Sequence, residues 1–401
     1  MARIAYQKFE DHSPVFWGLL ALNAVVVLAG LGAAFYMEHN GHIVTGMTNQ
    51  IVWGMPHVFA VFLIIAASGA LNVASIASVF NRPQHKPYAR LSALLAIALL
   101  VGGLAVLVLD LGRPDRLTVA MTTYNFKSIF AWNIYLYIGF LAIVAAYLFV
   151  MMDRQASRSV PLGKTVGGIA FVWRLVLTTG TGSIFGWLVA REAYSAAIMA
   201  PLFIAASLLF GLAFTVLVLA ILGPQMRQDL LTDEMVGRFR GLLAIFSLTV
   251  LYFTAVHHLT KIYASEHHGI ERFLLLDGGV YTTVFWLGQI AIGSLVPLVI
   301  LAVPGFGRTR SGITIASFLF LLGGLAQIYV IIIGGQAYPL TLFPGMQATS
   351  SFYDGQIAWY TPSLPEIFLG LSGISIAMLL AGIAVKVLPF LPKPVHNETA
   401  S

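Results

Sequence analysis

Cysteine is absent from this sequence. Iron–sulfur clusters, covalently attached c-type haem, zinc–thiolate sites and disulfides all need cysteine sulfur, so this protein supplies none of them. Any redox centre other than a histidine-ligated haem or a diffusible molecule must therefore belong to a partner protein.

Charged residues are also scarce. They make up 9% of the 401 residues, whereas hydrophobic residues make up 59%; a soluble domain carries about 25% charged residues. The composition thus predicts a multi-pass protein embedded in the lipid bilayer. The formal net charge of +6 does not indicate nucleic-acid binding, because the basic residues are scattered through short loops.

Long apolar segments recur along the whole sequence, and each is long enough for a helix of about 20 residues to cross a bilayer. We predict an all-α polytopic transmembrane bundle that forms a single integral membrane domain over residues 1–401. The ten predicted segments are about 16–36, 52–79, 89–111, 129–151, 166–190, 199–222, 241–262, 280–303, 313–337 and 366–388.

Lys and Arg residues set the expected orientation. Fifteen lie in the terminal segments and the even-numbered loops, and six lie in the odd-numbered loops. By the positive-inside rule, both termini are expected to be cytoplasmic. The longest loop, Tyr338 to Pro365, then lies on the outer side, where its length favours a functional or partner-covering role.

Polar residues converge on the predicted outer side. The second and third segments form a hairpin that places His57 and Asp110 near one membrane face, with Arg113 three residues after Asp110. The same side carries Trp53, His257, His258, Lys261 and Glu366, while Arg174 and Gln289 lie deeper and are candidates for proton transfer. An ionisable residue in a membrane is costly and usually functional.

Simpler interpretations of these residues stay open. Lys261 and Arg113 could be interfacial anchors, and His258 could be a helix-end residue in contact with water. Asp110 could form a purely structural pair with Arg113 on one helical face. Arg174 could have the structural role of donating hydrogen bonds to backbone carbonyls between helices.

A quinone would use such a cavity, because it needs an apolar slot, a hydrogen-bond donor for each carbonyl and groups that exchange protons. His57, Asp110 and Arg113 are the predicted catalytic residues, since histidine titrates near neutral pH and a desolvated carboxylate can do so as well. We predict no metal site. The residues alone are equally compatible with a proton-coupled transporter.

Several motifs, in order, resemble the NrfD/PsrC superfamily of membrane subunits. They cover roughly residues 50 to 392, and the ten-helix branch, with the DsrP subunits and the membrane subunits of quinone-reactive hydrogenases, is most similar. The motifs are Trp53-Gly54, Val79-Phe80-Asn81-Arg82 with Pro87, Gly102-Gly103, Asp110-Leu111-Gly112-Arg113, Phe285-Trp286, Pro362 to Glu366, and Leu388 to Pro392.

This resemblance implies a subunit of a quinone-linked oxidoreductase that is not catalytic alone, in a bacterial cytoplasmic membrane and in dissimilatory sulfur metabolism. Its diffusible substrate would be menaquinone or ubiquinone, and it would hold no haem. Its partners would be an extracytoplasmic ferredoxin-like iron–sulfur subunit and further redox subunits. His57 matches a quinone-ligating histidine of the family and Asp110 an acidic residue, whereas Gly54 stands where a family member has asparagine.

Two other functional classes remain beside this one. A proton- or ion-coupled transporter would show interrupted helices in both halves and polar groups near the midplane. A passive membrane anchor of a redox complex would need neither a buried carboxylate nor histidines on one face.

Overall fold

A computed structural model describes residues 5–79, 82–153, 155, 159–340 and 355–393. Within these residues ten helices are long and apolar enough to cross a membrane, which confirms the predicted polytopic helical bundle. Numbered α1 to α10, they are Pro14–Asn40, Met55–Ser78, Gln84–Leu109, Ile129–Met152, Pro161–Trp187, Met199–Gln225, Asp233–Tyr263, Val280–Ala302, Arg310–Ala337 and Leu364–Val387.

A short antiparallel pairing ties the two terminal segments together. Strand β1, Tyr6–Gln7, pairs with β2, Leu391–Pro392. The two terminal segments therefore lie at the same end of the bundle, as ten crossings require. Whether this end is cytoplasmic stays a prediction from the distribution of Lys and Arg. The opposite end is called the distal end below.

Helices α2 and α6 form the centre of the bundle, with 89% and 83% of their most apolar windows buried, compared with 17% for α1. They cross closely at Gly69 and Gly211. A β-carbon on Gly69 would lie 1.5 Å from the carbonyl oxygen of Ser207, so only glycine fits this crossing. Small residues at contacts of this kind let membrane helices pack closely.

Three membrane helices are irregular in their interior. Helix α2 consists of Met55–Ala70 and Asn72–Ser78, which meet at Leu71. Helix α8 contains a π-helical stretch, Val284–Leu295, and α9 contains another, Val330–Gly334. Wide turns of this kind often occur at functional sites, and both π-helical stretches contribute residues to the cavities described below.

Several predicted helix ends differ from the structure by a few residues, and two of them have a clear local cause. Helix α7 begins at Asp233, eight residues before its predicted start, because the hydroxyl of Thr232 caps the helix by accepting from the Met235 N–H. Helix α1 extends to Asn40 and stops at Gly41, which has a φ of +78°. Both extensions contain polar residues that hydrophobicity alone does not assign to a membrane helix.

Candidate functional site: a histidine–aspartate pair beside an apolar cavity

His57 and Asp110 form a close polar pair at the distal end of the bundle. Nδ1 of His57 lies 2.7 Å from Oδ2 of Asp110. The Asp110 side chain is fully buried, and 18% of the His57 side chain is exposed. The predicted proximity of the two residues is therefore observed, and the imidazole is the more accessible of the two groups.

The local sequence explains this arrangement. Pro56 in the first turn of α2 starts the helix, so His57 lies in the same first turn, at the distal end of the bundle. Asp110 directly follows the last helical residue of α3, Leu109, and its N–H still bonds to the Val106 carbonyl. The antiparallel hairpin thus brings the first turn of one helix beside the end of the next.

A large cavity adjoins the pair. It has a volume of about 780 Å³ and is lined mainly by apolar side chains of α2, α3, α4 and α5, among them Val61, Leu104, Leu107, Ile134, Ile184 and Phe185. Phe130 and Ile138 also line it, and they are 42% and 46% exposed on the outside of the bundle. The cavity therefore borders the surface that faces lipid.

Among the described residues, few polar side chains line this cavity. They are Trp53, His57, Arg113, Arg116, Asn133 and Tyr137. The hydroxyl of Tyr137 lies 3.4 Å from Oγ1 of Thr181, and the amide of Asn133 donates to the carbonyls of Ile129 and Gly180. Sequence reasoning missed Asn133 and Tyr137; their spacing of four residues in an apolar helix was the available signal.

Trp53 is held next to His57 by both stacking and backbone contacts. Its ring stacks on the imidazole with centroids 6.2 Å apart and also packs against Phe130 and Phe185. Its backbone is bound by the buried amide of Gln336. The sequence placed Trp53 near His57 and gave no indication of Gln336.

Arg113 does not pair with Asp110, so that structural alternative is wrong. Its guanidinium donates to Asp115 at 3.0 and 2.9 Å, and 64% of its side chain is exposed. Helix α3 ends at Leu109, so the helical spacing on which the predicted pair depended is lost. Arg113 lies at the cavity rim, where the hydrogen bond to Asp115 raises the pKa of Arg113 and lowers the pKa of Asp115.

A second cluster, separate from the first site, contains His257, His258 and Lys261. His257, His258 and Gln289 line a small cavity of about 30 Å³ together with Gln327 and Thr254. No described residue lines both cavities. The π-helical stretch of α9 lies between them, since Ile332 faces the large cavity and Val330 and Ile331 face the small one. The single predicted site is therefore two sites.

Two of the simpler interpretations fail in this second cluster. Lys261 is 3% exposed, and its ammonium donates to the backbone carbonyls of Glu192 and Tyr194, so it is no surface anchor. His258 is paired at 2.7 Å with the buried carboxylate of Glu271. Sequence reasoning missed Glu271 because it lies in a polar loop segment whose burial has no sequence signal.

Comparison with known proteins assigns the family. A family model described as "Polysulphide reductase, NrfD" matches residues 43–339, almost three quarters of the sequence. The chain belongs to the NrfD family. The match includes both cavities, and it ends before Glu366 and α10.

Relatives of this NrfD-family protein span nearly its full length. The Hdr-like menaquinol oxidoreductase integral membrane subunit of Archaeoglobus fulgidus is 28% identical over 98% of each sequence. The putative dimethyl sulfoxide reductase membrane subunit of Halobacterium salinarum is 30% identical, over 93% of this protein and 91% of the relative. One of the polypeptides of the polysulfide reductase of Wolinella succinogenes is 24% identical, over 72% of this protein and 96% of its own length.

Glu366 has a structural position in this NrfD-family protein. It is fully buried at the start of α10 and accepts hydrogen bonds from the Tyr360 hydroxyl, the Gly46 N–H, and the N–H and hydroxyl of Ser363. Burial, and then the bond to Glu366, raise the pKa of Tyr360, which stays a neutral donor. Glu366 lines neither of the two cavities.

The same carboxylate explains the glycine at position 54. A β-carbon on Gly54 would lie 2.4 Å from Oε1 of Glu366 and 2.9 Å from the Tyr360 hydroxyl. Glu366 and Tyr360 thus fill the space that an asparagine side chain would need here.

Arg174 lies at the interruption of α2 in the middle of the bundle. It is 2% exposed, and its guanidinium donates to the Ser68 carbonyl at 3.5 Å and to Oδ1 of Asn72 at 3.3 Å. These contacts flank Leu71, where the two parts of α2 meet. They agree with the interpretation of Arg174 as a partner for backbone carbonyls, and among the described residues its polar contacts do not extend to Gln289.

Proposed function

We propose that this chain is the quinone-reactive membrane subunit of a multi-subunit oxidoreductase and that the quinone binds in the 780 Å³ cavity beside His57. The observation that carries this proposal is the pairing of a partly accessible imidazole with a fully buried carboxylate at the wall of an apolar cavity. Ligand pockets of about 300–1,000 Å³ with few polar groups are typical of small-molecule sites.

The cavity meets each chemical need of a quinone. Its apolar walls accept the ring and the start of an isoprenoid tail, and its border with the lipid-facing surface at Phe130 and Ile138 gives a route for the rest of the tail. His57 donates a hydrogen bond to one carbonyl oxygen. The hydroxyl of Tyr137, on α4, is placed to donate to the other carbonyl, whereas both N–H groups of Asn133 are already used by the carbonyls of Ile129 and Gly180.

The pair of His57 and Asp110 can exchange protons with the quinone. When a reduced quinone is oxidised, His57 takes a hydroxyl proton while Asp110 stabilises the resulting imidazolium; the reverse occurs on reduction. Both oxygens of Asp110 are buried and make no well-aligned hydrogen bond among the described residues, although Oδ2 lies 2.7 Å from Nδ1 of His57; the carboxylate can therefore itself accept a proton. General acid–base groups must lie within hydrogen-bond reach of each other and of the substrate.

The relatives support the choice of substrate and setting. The Archaeoglobus relative is named a menaquinol oxidoreductase subunit, and others are named as parts of dimethyl sulfoxide and polysulfide reductases. We infer a menaquinone-type substrate, a cytoplasmic membrane location and a role in sulfur metabolism. The electrons pass to or from an extracytoplasmic iron–sulfur partner, because this protein has no cysteine to hold a cluster.

Quinone binding by the detergent-purified protein tests this proposal directly. His57→Leu keeps the helix and its apolar packing and removes one charge-assisted hydrogen bond, worth about 1.5–3 kcal/mol. The affinity for a naphthoquinone analogue should fall roughly 10- to 150-fold. The matched control is His39→Leu, which removes an exposed imidazole from the last turn of α1. Equal affinity of His57→Leu and the parent would place the quinone outside this cavity.

A further inference from the structure

His257, His258 and Glu271 bring three potential metal ligands together at the distal end of α7. One donor atom from each residue lies within 4.8 Å of the donor atoms of the other two. Two histidines and one glutamate are a common donor set for a zinc ion that keeps a fourth position open. We propose that these three residues bind a divalent transition-metal ion of the Zn²⁺ class.

Buried atoms without partners support this site. Nδ1 of His257 and Oε1 of Glu271 are buried, and neither has a hydrogen-bond partner among the described residues. The two residues are only 7% and 2% exposed. Buried polar atoms are nearly always satisfied in folded proteins, and each exception needs an explanation. A metal ion bound between these side chains would satisfy both atoms at once.

The spacing of the donors fits a tetrahedral ion after small rotations of the side chains. Bonds of about 2.0–2.2 Å to nitrogen and oxygen place tetrahedral ligands roughly 3.4 Å apart. The distance of 2.7 Å between Nδ1 of His258 and Oε2 of Glu271 is shorter than this ligand–ligand spacing. The three donor atoms lie within 4.8 Å of one another, which is longer than this spacing. Binding would open the first contact, so that His258 and Glu271 each bind the ion in place of one another.

The fourth ligand position has room for a water molecule. The small cavity of about 30 Å³ is lined by His257 and His258, with the amide side chains of Gln289 and Gln327 on its other walls. A cavity needs roughly 10–15 Å³ and several polar partners to hold a water. The glutamine amides supply those partners, so the predicted coordination is two histidines, one glutamate and one water.

The donor atoms favour a transition metal over Ca²⁺ or Mg²⁺. Two imidazole nitrogens suit Zn²⁺, Co²⁺ or Ni²⁺, whereas Ca²⁺ and Mg²⁺ prefer oxygen. Glu271 supplies one negative charge, and the ammonium of Lys261 is held by the backbone carbonyls of Glu192 and Tyr194. The ion would link α7 to the short helix His268–Arg272, and the proposal is independent of quinone binding because no described residue lines both cavities.

Cobalt binding to the full-length protein tests the site. Purified protein is stripped with a chelator and titrated with Co²⁺, whose visible absorption is strong in tetrahedral sites. The parent should bind a single Co²⁺ that Zn²⁺ displaces. Glu271→Gln and His257→Asn should each weaken binding at least about tenfold, because even loss of a residue that supports a ligand costs roughly 10- to 100-fold. Both variants should still bind the naphthoquinone analogue, which controls for folding.

Two neighbouring histidines provide the matched control. His267 and His268 lie in the same distal segment, His268 is exposed, and His267 contacts Glu266 at 3.5 Å. A double variant, His267→Ala with His268→Ala, should bind Co²⁺ as the parent does. Loss of the signal in this double variant, its persistence in Glu271→Gln and His257→Asn, or no Co²⁺ binding by the parent would each overturn the proposal.

Discussion

Gln336 binds Trp53 through both ends of its amide. Its Oε1 accepts from the Trp53 N–H at 3.1 Å, and its Nε2 donates to the Trp53 carbonyl at 3.0 Å. The same side chain accepts from the Val52 N–H and donates to the Ile332 carbonyl, and Arg191 donates to the carbonyl of Gln336. A fully buried residue near the end of α9 therefore fixes the segment that leads into His57.

Replacing Gln336 should affect both stability and quinone affinity. Gln336→Met keeps the approximate shape and leaves the N–H groups of Val52 and Trp53 without their acceptor, which costs about 1–3 kcal/mol for a buried group. We expect a lower melting temperature of the purified protein and weaker binding of a naphthoquinone analogue. Gln336→Glu keeps the acceptor and should recover part of both. Unchanged affinity in Gln336→Met would show that this network does not position the site.

Asp110→Asn tests proton exchange. The amide fits the same space but cannot take up a proton, so quinone-dependent electron transfer in the assembled complex should slow by about 10²-fold or more. Asp110→Glu should retain more activity. The control is Asp115→Asn, which changes an exposed carboxylate bound to Arg113. Normal turnover of Asp110→Asn in an intact complex would leave Asp110 with a purely structural role beside His57.

Tyr137→Phe tests the proposed hydrogen bond to the second quinone carbonyl. Loss of one neutral hydrogen bond, worth about 0.5–1.5 kcal/mol, should weaken analogue binding roughly 2- to 12-fold. Tyr147→Phe is the matched control, because Tyr147 lies on the same helix but bonds to Ser78, away from the cavity. Equal effects of the two variants would indicate a general disturbance of α4 and not a contact with the quinone.

The sequence predicts the fold well because each membrane helix must satisfy its own backbone hydrogen bonds, so length and hydrophobicity suffice to find it. The pair of His57 and Asp110 was also predictable, since a two-helix hairpin fixes which ends meet. The separation of His257 and His258 into a second cluster was not predictable. The distribution of Lys and Arg assigns a residue to one face of the membrane but does not say where on that face it lies. The contacts of Glu271, Gln336 and Tyr137 were not predictable either, because they depend on tertiary packing between different elements of the fold.

One part of the predicted architecture lies outside the described residues. Residues 341–354 of the loop from Tyr338 to Pro365 belong to this part, as do Phe80 and Asn81 of the Val79 to Arg82 motif. We predict that the iron–sulfur partner docks on this loop and on the loop from Gly112 to Ser128; the side of the membrane on which it docks depends on the orientation of the bundle.

The absence of cysteine makes that orientation directly measurable. Asn125→Cys introduces a thiol into the exposed loop between α3 and α4, and Gln84→Cys introduces one at the exposed start of α3. Because Lys and Arg concentrate at the end that carries Gln84, we expect a membrane-impermeant maleimide to label Asn125→Cys in intact cells and Gln84→Cys only after permeabilisation. Both proteins should react equally once solubilised, which controls for accessibility. The reverse pattern would place His57 and its cavity at the cytoplasmic face, and the iron–sulfur partner would then have to dock there.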